Sequence, residues 1–130
     1  MIKTKSVFSA IEPSKDGLRI LVSRFRGRGL PVSRYDVWMA NLGPSEELLY
    51  KFLGEKITWT EFGRRYRKEL VEDGTIDARN RTIKNHGQKF TLRLLQELAK
   101  RGPVTIMCQC SEKEPRCHRH LLQRILSGKI

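Results

Sequence analysis

The sequence predicts a small α/β domain in which a mixed or mostly parallel sheet is flanked by helices. β-prone segments alternate with segments of helical periodicity, the 130-residue length suits one compact domain, and 38% of the residues are hydrophobic. No repeat, low-complexity tract or heptad array interrupts the chain. We therefore expect a single domain over residues 1–130.

Two β-prone segments come first, over Ser6–Ile11 and Leu18–Ser23, and a Pro and Asp-Gly turn separates them. We expect them to be neighbouring strands. The segment Arg24–Arg34 contains two glycines and a proline and lacks periodicity, which predicts a loop after the second strand. We call it the arginine-rich loop.

Helical patterns occupy the middle of the chain. Ser45 begins a helix that Gly54 ends, and the Thr58 to Glu61 capping box begins a second helix that Gly74 ends. The apolar stripe of this second helix contains Trp59, Phe62, Tyr66 and Leu70. Residues 74–89 are polar, basic and weakly periodic, and they predict an irregular connection.

A third helix is predicted over Phe90–Arg101, with its stripe on Phe90, Leu94, Leu95 and Leu98. Val104–Cys108 then predicts a strand, and the final helix carries Leu121, Leu122, Ile125 and Leu126 at helical spacing. Between strand and helix lie Cys110, Cys117, His118 and Arg119. Ligands of open α/β sheets bind at such strand-to-helix corners, so we expect the functional site there.

The balance of 26 basic against 14 acidic residues gives a net charge of +12, which favours a polyanionic partner. The candidate nucleic-acid contacts are Arg26, Arg34, Arg79, Arg81, Lys84 and Lys89. No apolar run approaches the length of a membrane span, and the N-terminus lacks a signal-peptide pattern, so we expect no membrane partner. Three clustered cysteines favour a reducing, cytoplasmic location.

Several blocks of residues resemble the domain-of-unknown-function family 488, near its YeaO-like branch. They are Leu21-Val22-Ser23-Arg24 with Arg28-Gly29, Asp36-Val37-Trp38, Leu42-Gly43-Pro44-Ser45, Trp59-Thr60-Glu61-Phe62, Tyr66 with Glu69-Leu70, and Val104 to Cys108 with Cys117-His118-Arg119. The resemblance implies a small α/β domain without an assigned activity. The family pattern has an acid where this chain has Ser23, which argues against acid-base catalysis there.

Zinc is one chemistry for the closing segment, because Cys108, Cys110, Cys117 and His118 are four candidate ligands. Along an extended strand Cys108 and Cys110 are about 6.6 Å apart, and adjacent helical residues diverge by about 100°. The spacing therefore argues against zinc, and we expect no bound metal or other cofactor.

Thiol chemistry is the second alternative. Cys110 and Arg116 have the Cys-x5-Arg spacing of phosphatase-like loops, but two glutamates and Pro115 between them oppose anion binding. Cys117 is the better candidate for a low-pKa thiolate, because a helix N-terminus and neighbouring cations favour its negative charge.

We favour an anion site in which Arg119, His118 and helix amides bind a phosphate, joined by Arg24 and Arg28 from the arginine-rich loop. The ligand would be a nucleotide or a nucleic-acid component. If the protein is an enzyme, Cys117 or His118 lies near the reacting centre, and the resemblance adds Asp36 and Glu69 as carboxylates. The alternatives are a non-catalytic nucleic-acid-binding module and a zinc- or thiol-dependent interaction protein.

Overall fold

The described chain forms a four-stranded sheet in which every strand runs parallel to its neighbours. The computed structural model describes residues 2–72 and 88–130. Its strands are β1 (Ile2–Ser6), β2 (Leu18–Leu21), β3 (Val37–Trp38) and β4 (Val104–Cys108). Their order in the sheet is β1-β4-β2-β3. The α/β class is therefore confirmed, and the carboxyl ends of these strands meet at one edge, which we call the carboxyl edge.

Two predictions about the strands are wrong. The first strand is Ile2–Ser6 instead of Ser6–Ile11, because the backbone turns after Ser6 and Ser9 N donates back to Ser6 O at 3.1 Å. Lysines at positions 3 and 5 are not typical of a central strand, but charged side chains are common in edge strands. β4 also lies between β1 and β2, so the two N-terminal strands are not neighbours. The sequence does not predict β3, because two residues are too few to show alternation.

Five helices accompany the sheet within the described ranges: α1 (Pro13–Asp16), α2 (Glu46–Leu53), α3 (Trp59–Val71), α4 (Lys89–Arg101) and α5 (His118–Leu126). Two predicted caps are confirmed. Ser45 Oγ accepts a hydrogen bond from Leu48 N at 3.2 Å, and Thr58 Oγ1 accepts one from Glu61 N at 3.1 Å. The predicted stop at Gly74 lies outside the described residues. Among the described helices, none is long and apolar enough to cross a membrane.

The sheet buries apolar side chains on both faces. One face packs against helices α2 to α5, and its inward residues include Ile20, Val22, Val104 and Ile106. The opposite face presents Leu21 and Met107 to a smaller cluster that also contains Val7, Leu30 and the half-buried Tyr35. Leu30 lies in the arginine-rich loop and Tyr35 directly follows it. The arginine-rich loop therefore covers the second face of the sheet in addition to carrying positive charge.

Helix α4 buries Leu95 as predicted, and Leu98 packs against the core, but the rest of its buried stripe differs from the prediction. Leu92 and Leu95 are fully buried, whereas Phe90 and Leu94 are 54% and 53% exposed. Both stripes have helical spacing, and the rotation of the helix against the sheet decides between them. In α5 the prediction is confirmed, because Leu122, Ile125 and Leu126 are buried in the larger core and Leu121 packs against it.

A buried carboxylate connects α1 to the edge strand β1. The Asp16 side chain is fully buried and accepts hydrogen bonds from Lys5 Nζ at 3.0 Å and Glu12 N at 2.9 Å, and Lys3 Nζ lies 3.5 Å from it. Burial raises the pKa of the Asp16 carboxyl, but the Glu12 amide and the two lysines outweigh burial and lower it below its usual value. Asp16 therefore stabilises the fold in its ionised form.

We expect Asp16→Asn to lower the free energy of unfolding at neutral pH by roughly 2 kcal/mol, because it removes the charge from a buried, hydrogen-bonded group. Since the folded-state pKa lies below the ordinary value of 3.8, this contribution is complete above that pH and is lost as the pH falls through the folded-state pKa. Urea unfolding across this range checks it, because the difference between the two proteins should shrink on acidification. The control is Glu12→Gln, which alters only an exposed pair with Lys15 and should cost less than about 0.5 kcal/mol. Equal losses in the two variants would contradict the prediction.

Candidate functional site

A strand-to-helix corner at the carboxyl edge contains the residues that the sequence indicates. β4 ends at Cys108, and α5 begins at His118 with Cys117 as its N-cap. Cys117 has extended backbone angles, φ −120° and ψ 137°, so it precedes the helix. We call residues 109–116, which join strand and helix, the corner loop.

The three thiols of this corner converge. Cys108 Sγ and Cys110 Sγ are 3.8 Å apart. The Sγ atoms of Cys108 and Cys117 and a ring nitrogen of His118 all lie within 4.8 Å of one another. The spacing argument against a shared site is therefore wrong, because the chain leaves the strand after Cys108 and Cys117 is not helical. All three cysteines are free thiols.

Proton affinity is distributed unequally among these thiols. Hydrogen bonds from the thiols of Cys110 and Cys117 lower the pKa of Cys108, and backbone amides of the corner loop contribute in the same direction. The interaction with Cys108 raises the pKa of Cys117, and burial raises it further. The prediction of a low-pKa thiolate at Cys117 is therefore corrected. The neighbouring thiols therefore favour the ionised form of Cys108 over that of Cys117.

The buried His118 ring lies beside the thiols. Its Nε2 is 2.8 Å from Val22 O, and a carbonyl only accepts, so Nε2 carries the proton and Nδ1 carries the lone pair. Burial lowers the pKa of His118, which keeps the ring neutral at pH 7. The Tyr66 ring meets it edge to face at 5.7 Å between centroids. The sequence places Tyr66 only on a core stripe, and no sequence pattern indicates this contact.

Arg119 is fully buried and supports the corner loop. Its guanidinium donates to the carbonyls of Cys110, Ser111 and Glu112 at 3.2–3.3 Å and pairs with the Glu112 carboxylate at 3.3 Å. Its Nε has no hydrogen-bond partner. The sequence predicts that Arg119 binds an external anion together with Arg24. In the structure its terminal nitrogens already bind the protein, so we assign it to the loop's structure.

Glu112 is a structural residue that the sequence argument treats only as a repulsive charge. Its carboxylate accepts hydrogen bonds from Ser6 N at 2.9 Å and from Ser9 Oγ at 3.1 Å, in addition to its pair with Arg119. The corner loop is thereby connected to the end of β1. A glutamate inside a polar loop gives no sequence signal for such a long-range contact.

The corner loop does not form a phosphatase-like anion cradle. The Glu114 amide donates to Ser111 O at 3.0 Å, and the Arg116 amide donates to the Glu114 carboxylate at 3.0 Å. These amides are therefore used inside the loop. This agrees with the sequence argument that the glutamates and Pro115 oppose a Cys110-x5-Arg116 cradle.

The arginine-rich loop uses two of its arginines internally. Arg26 donates to the Tyr35 hydroxyl and to Leu30 O, and Arg34 donates to Val7 O at 2.9 Å and Ser9 O at 2.6 Å. Both were predicted as nucleic-acid contacts, and both now have structural partners. Arg24 is half-buried and Arg28 is exposed, and neither side chain has a hydrogen bond or ion pair with another described residue. These two remain available for an external anion.

Exposed aromatic rings lie at the same edge of the sheet. We define the aromatic edge as Phe8, Phe25, Trp38 and Tyr50, which are 63%, 43%, 41% and 59% exposed. Phe8 follows the end of β1, Phe25 follows the end of β2, and Trp38 is the last residue of β3. The Tyr50 ring stacks on Phe25 with centroids 6.3 Å apart. These four rings are therefore exposed and lie outside the two core clusters.

The two carboxylates predicted for catalysis have separate structural partners. Asp36 accepts hydrogen bonds from the Arg19 amide at 2.8 Å and its guanidinium at 3.1 Å, near the amino end of β2. Glu69 accepts from the Ser45 amide at 2.9 Å and from its hydroxyl. Within the described ranges, neither carboxylate has a hydrogen bond with the cysteines or His118.

The second basic tract is described only at its end. Arg79, Arg81 and Lys84 lie outside the described residues, as does most of the predicted connection over residues 74–89. Lys89 is the first residue of α4. His120 has its Nε2 at 3.0 Å from Glu114 O.

Comparison with known proteins identifies the family. Over residues 2–129 the chain matches the family model described as the active DUF488-N3 subclade. The chain belongs to the DUF488 family. This DUF488 protein is also 32% identical over 108 residues to the uncharacterized protein YeaO of Escherichia coli (strain K12), which covers 82% of this chain and 80% of YeaO. No solved structure shows significant similarity to the chain.

In this DUF488 protein, Ser23 makes two hydrogen bonds at the start of the arginine-rich loop. Ser23 Oγ donates to Phe25 O at 2.7 Å, and Ser23 O accepts a hydrogen bond from Trp38 Nε1 at 2.8 Å. Gln109 Nε2 donates to Phe25 O at 2.8 Å and also to Arg26 O. Ser23 therefore fixes the start of the arginine-rich loop and, through it, the position of Phe25.

Proposed function

We propose that this DUF488 protein binds single-stranded nucleic acid along the carboxyl edge of its sheet. The observation that carries the proposal is the exposed, stacked pair of Phe25 and Tyr50 beside Arg24 in the arginine-rich loop. The proposal keeps the phosphate-bearing ligand predicted from the sequence. It keeps Arg24 and Arg28 as phosphate contacts and leaves out Arg119, which is buried.

Charge supplies the first part of the interaction. The net charge of +12 attracts a phosphodiester backbone, and each neutralised phosphate releases condensed counterions. Arg24 and Arg28 have no partner among the described residues, so binding phosphate breaks no ion pair that these residues make within the described fold. Guanidinium groups also suit phosphate because their parallel N–H bonds match two of its oxygens.

Stacking supplies the second part and selects a single strand. Every base has an aromatic face that can pack on a side-chain ring, and such contacts are worth about 1–3 kcal/mol per base. The faces of paired bases are hidden inside a duplex, so the Phe25 and Tyr50 rings favour unpaired bases. Phe8 and Trp38 extend the aromatic edge to the ends of β1 and β3. The free thiols of the corner fit the cytoplasm as the place of action.

Fluorescence anisotropy with a labelled single-stranded oligonucleotide tests the proposal. We expect affinity to fall steeply with salt and to depend little on base sequence. Phe25→Ala combined with Tyr50→Ala should weaken binding roughly tenfold, because one stacking platform is lost. Arg28→Ser should weaken binding and reduce the slope of log affinity against log salt by about one.

The matched control for charge is Arg101→Ser. Arg101 ends α4 shortly before β4 begins, so it lies near the amino edge of the sheet, away from the aromatic edge. Arg101→Ser removes one positive charge, as Arg28→Ser does, and its effect on the salt slope should be clearly smaller than that of Arg28→Ser. Absence of binding at low salt, or full binding by the double aromatic variant, would reject the proposal.

A further inference from the structure

Four metal-ligating side chains lie together behind the carboxyl edge, and the proposed binding of nucleic acid uses none of them. Cys108, Cys117 and His118 are buried, with their ligand atoms within 4.8 Å of one another. Cys110, which is half-buried, has its Sγ at 3.8 Å from Cys108 Sγ. Among the described residues, Cys108, Cys117 and His118 are the only group of three or more such side chains with ligand atoms this close together.

The sulfur separation matches a tetrahedral metal site. Zinc–thiolate bonds are about 2.3 Å long, so two thiolates on a tetrahedral ion lie about 3.8 Å apart. The Cys108 and Cys110 sulfurs are 3.8 Å apart. The pair therefore needs little movement to hold one ion. Cys117 and His118, whose ligand atoms lie within 4.8 Å of Cys108 Sγ, would take the remaining two positions.

The surroundings of the ligands also fit a metal site. His118 donates Nε2–H to Val22 O, which fixes the ring and leaves the Nδ1 lone pair for a ligand bond. A Cβ at position 43 would lie 3.1 Å from Val22 O, so a residue larger than Gly43 would disturb the carbonyl that orients His118.

Charge balance gives an independent argument. A divalent ion with three thiolates and a neutral imidazole carries a net charge of −1. The guanidinium of Arg119 is completely buried in the same corner and donates to the carbonyl of the ligand Cys110. Its partner Glu112 is half-exposed, so that carboxylate is largely solvated. The half-exposed Glu112 carboxylate compensates the buried charge of Arg119 only in part. An anionic metal centre in the same corner would supply the remaining compensating charge.

We propose that Cys108, Cys110, Cys117 and His118 bind one soft divalent metal ion, zinc being the ion that three thiolates and an imidazole suit best. This donor set disfavours magnesium and calcium, which prefer oxygen ligands. Four protein ligands close the coordination sphere, so the ion is structural and fixes the corner loop between β4 and α5. The proposal stands independently of nucleic-acid binding, because it uses none of the aromatic edge.

Metal analysis of the full chain, purified under reducing conditions without chelator, is the first measurement. We expect about one zinc ion per chain. Cobalt added to the metal-free, reduced protein should give the visible absorption of tetrahedral cobalt with thiolate ligands. A zinc content far below one ion per chain, together with no cobalt spectrum, would overturn the proposal.

Variants then locate the site. Cys110→Ser changes the most exposed ligand and should leave the circular dichroism spectrum unchanged while weakening cobalt affinity at least roughly tenfold. His118→Ala should do the same, and His120→Ala, two residues along the same helix, is its matched control and should keep wild-type affinity. Unchanged affinity in Cys110→Ser and His118→Ala would show that any bound metal lies elsewhere and would reject the site. If either variant fails to fold, its circular dichroism spectrum shows this, and the cobalt affinity of the other variant then decides the test.

Discussion

Replacement of Arg119 by alanine is expected to lower the free energy of unfolding by about 3 kcal/mol, a large part of the stability of a small domain. The guanidinium makes charge-assisted hydrogen bonds with three carbonyls of the corner loop, at 3.2–3.3 Å. The variant removes these bonds and leaves a cavity beside the cysteines. Loss of the unpartnered buried Nε offsets part of the cost, which is why the expected value is not larger. Urea or thermal unfolding measures it.

Arg124→Ala is the control, because Arg124 is an exposed arginine of the same helix. It should change stability by no more than about 0.5 kcal/mol. Hydrogen exchange gives a second readout, since the amides of the corner loop should exchange faster in Arg119→Ala and at the normal rate in Arg124→Ala. If the two variants are equally stable and exchange alike, Arg119 does not hold the loop.

Replacement of Gly17 by alanine is expected to cost roughly 4 kcal/mol. Gly17 has φ 60° and ψ −131°, a conformation that residues with a Cβ rarely adopt. A Cβ at this position would also lie 2.1 Å from Pro103 O, the backbone atom that accepts a hydrogen bond from Leu18 N at 3.1 Å. Because backbone cannot rotate away as a side chain can, the substitution would separate the start of β2 from the start of β4.

Gly102→Ala provides the comparison for Gly17→Ala. Gly102 has φ 178°, an extended angle open to any residue, and an added Cβ would meet no atom within 4 Å beyond its chain neighbours. Its effect should be within about 0.5 kcal/mol of zero. Thermal unfolding of both variants tests the prediction, and comparable melting temperatures would refute the close contact at Gly17.

The sequence predicts the helices of this protein better than its strands. Capping residues such as Ser45 and Thr58 act within one turn, so their effect can be predicted from neighbouring residues. β1 and β3 lie at the sheet's edges, where polar residues or very short length remove the usual alternation. The buried stripe of α4 likewise depends on how the helix rests on the sheet, which sequence spacing alone does not determine.

The structure brings the predicted corner residues close together, but their contacts could not be read from spacing. The separation of Cys108 from Cys110 depends on where the strand ends, and the relation of Cys117 to His118 depends on where the helix begins. A shift of one residue in either boundary changes which side chains meet. The role of Arg119 is similarly hidden, because an arginine that binds a phosphate and one that binds loop carbonyls look the same in a sequence.

The central position of β4 has a consequence for how the chain folds. β1 pairs with β4 in the register Ile2 with Val104, so about a hundred residues separate the partners. Such non-local pairing slows folding, since a long loop must close before the contact forms. At translation rates of about 5–20 residues per second, β4 is synthesised several seconds after β1, and β1 has no partner strand during that time. Lys3 and Lys5 lie within that waiting strand, where charge protects it from pairing with strands of other chains.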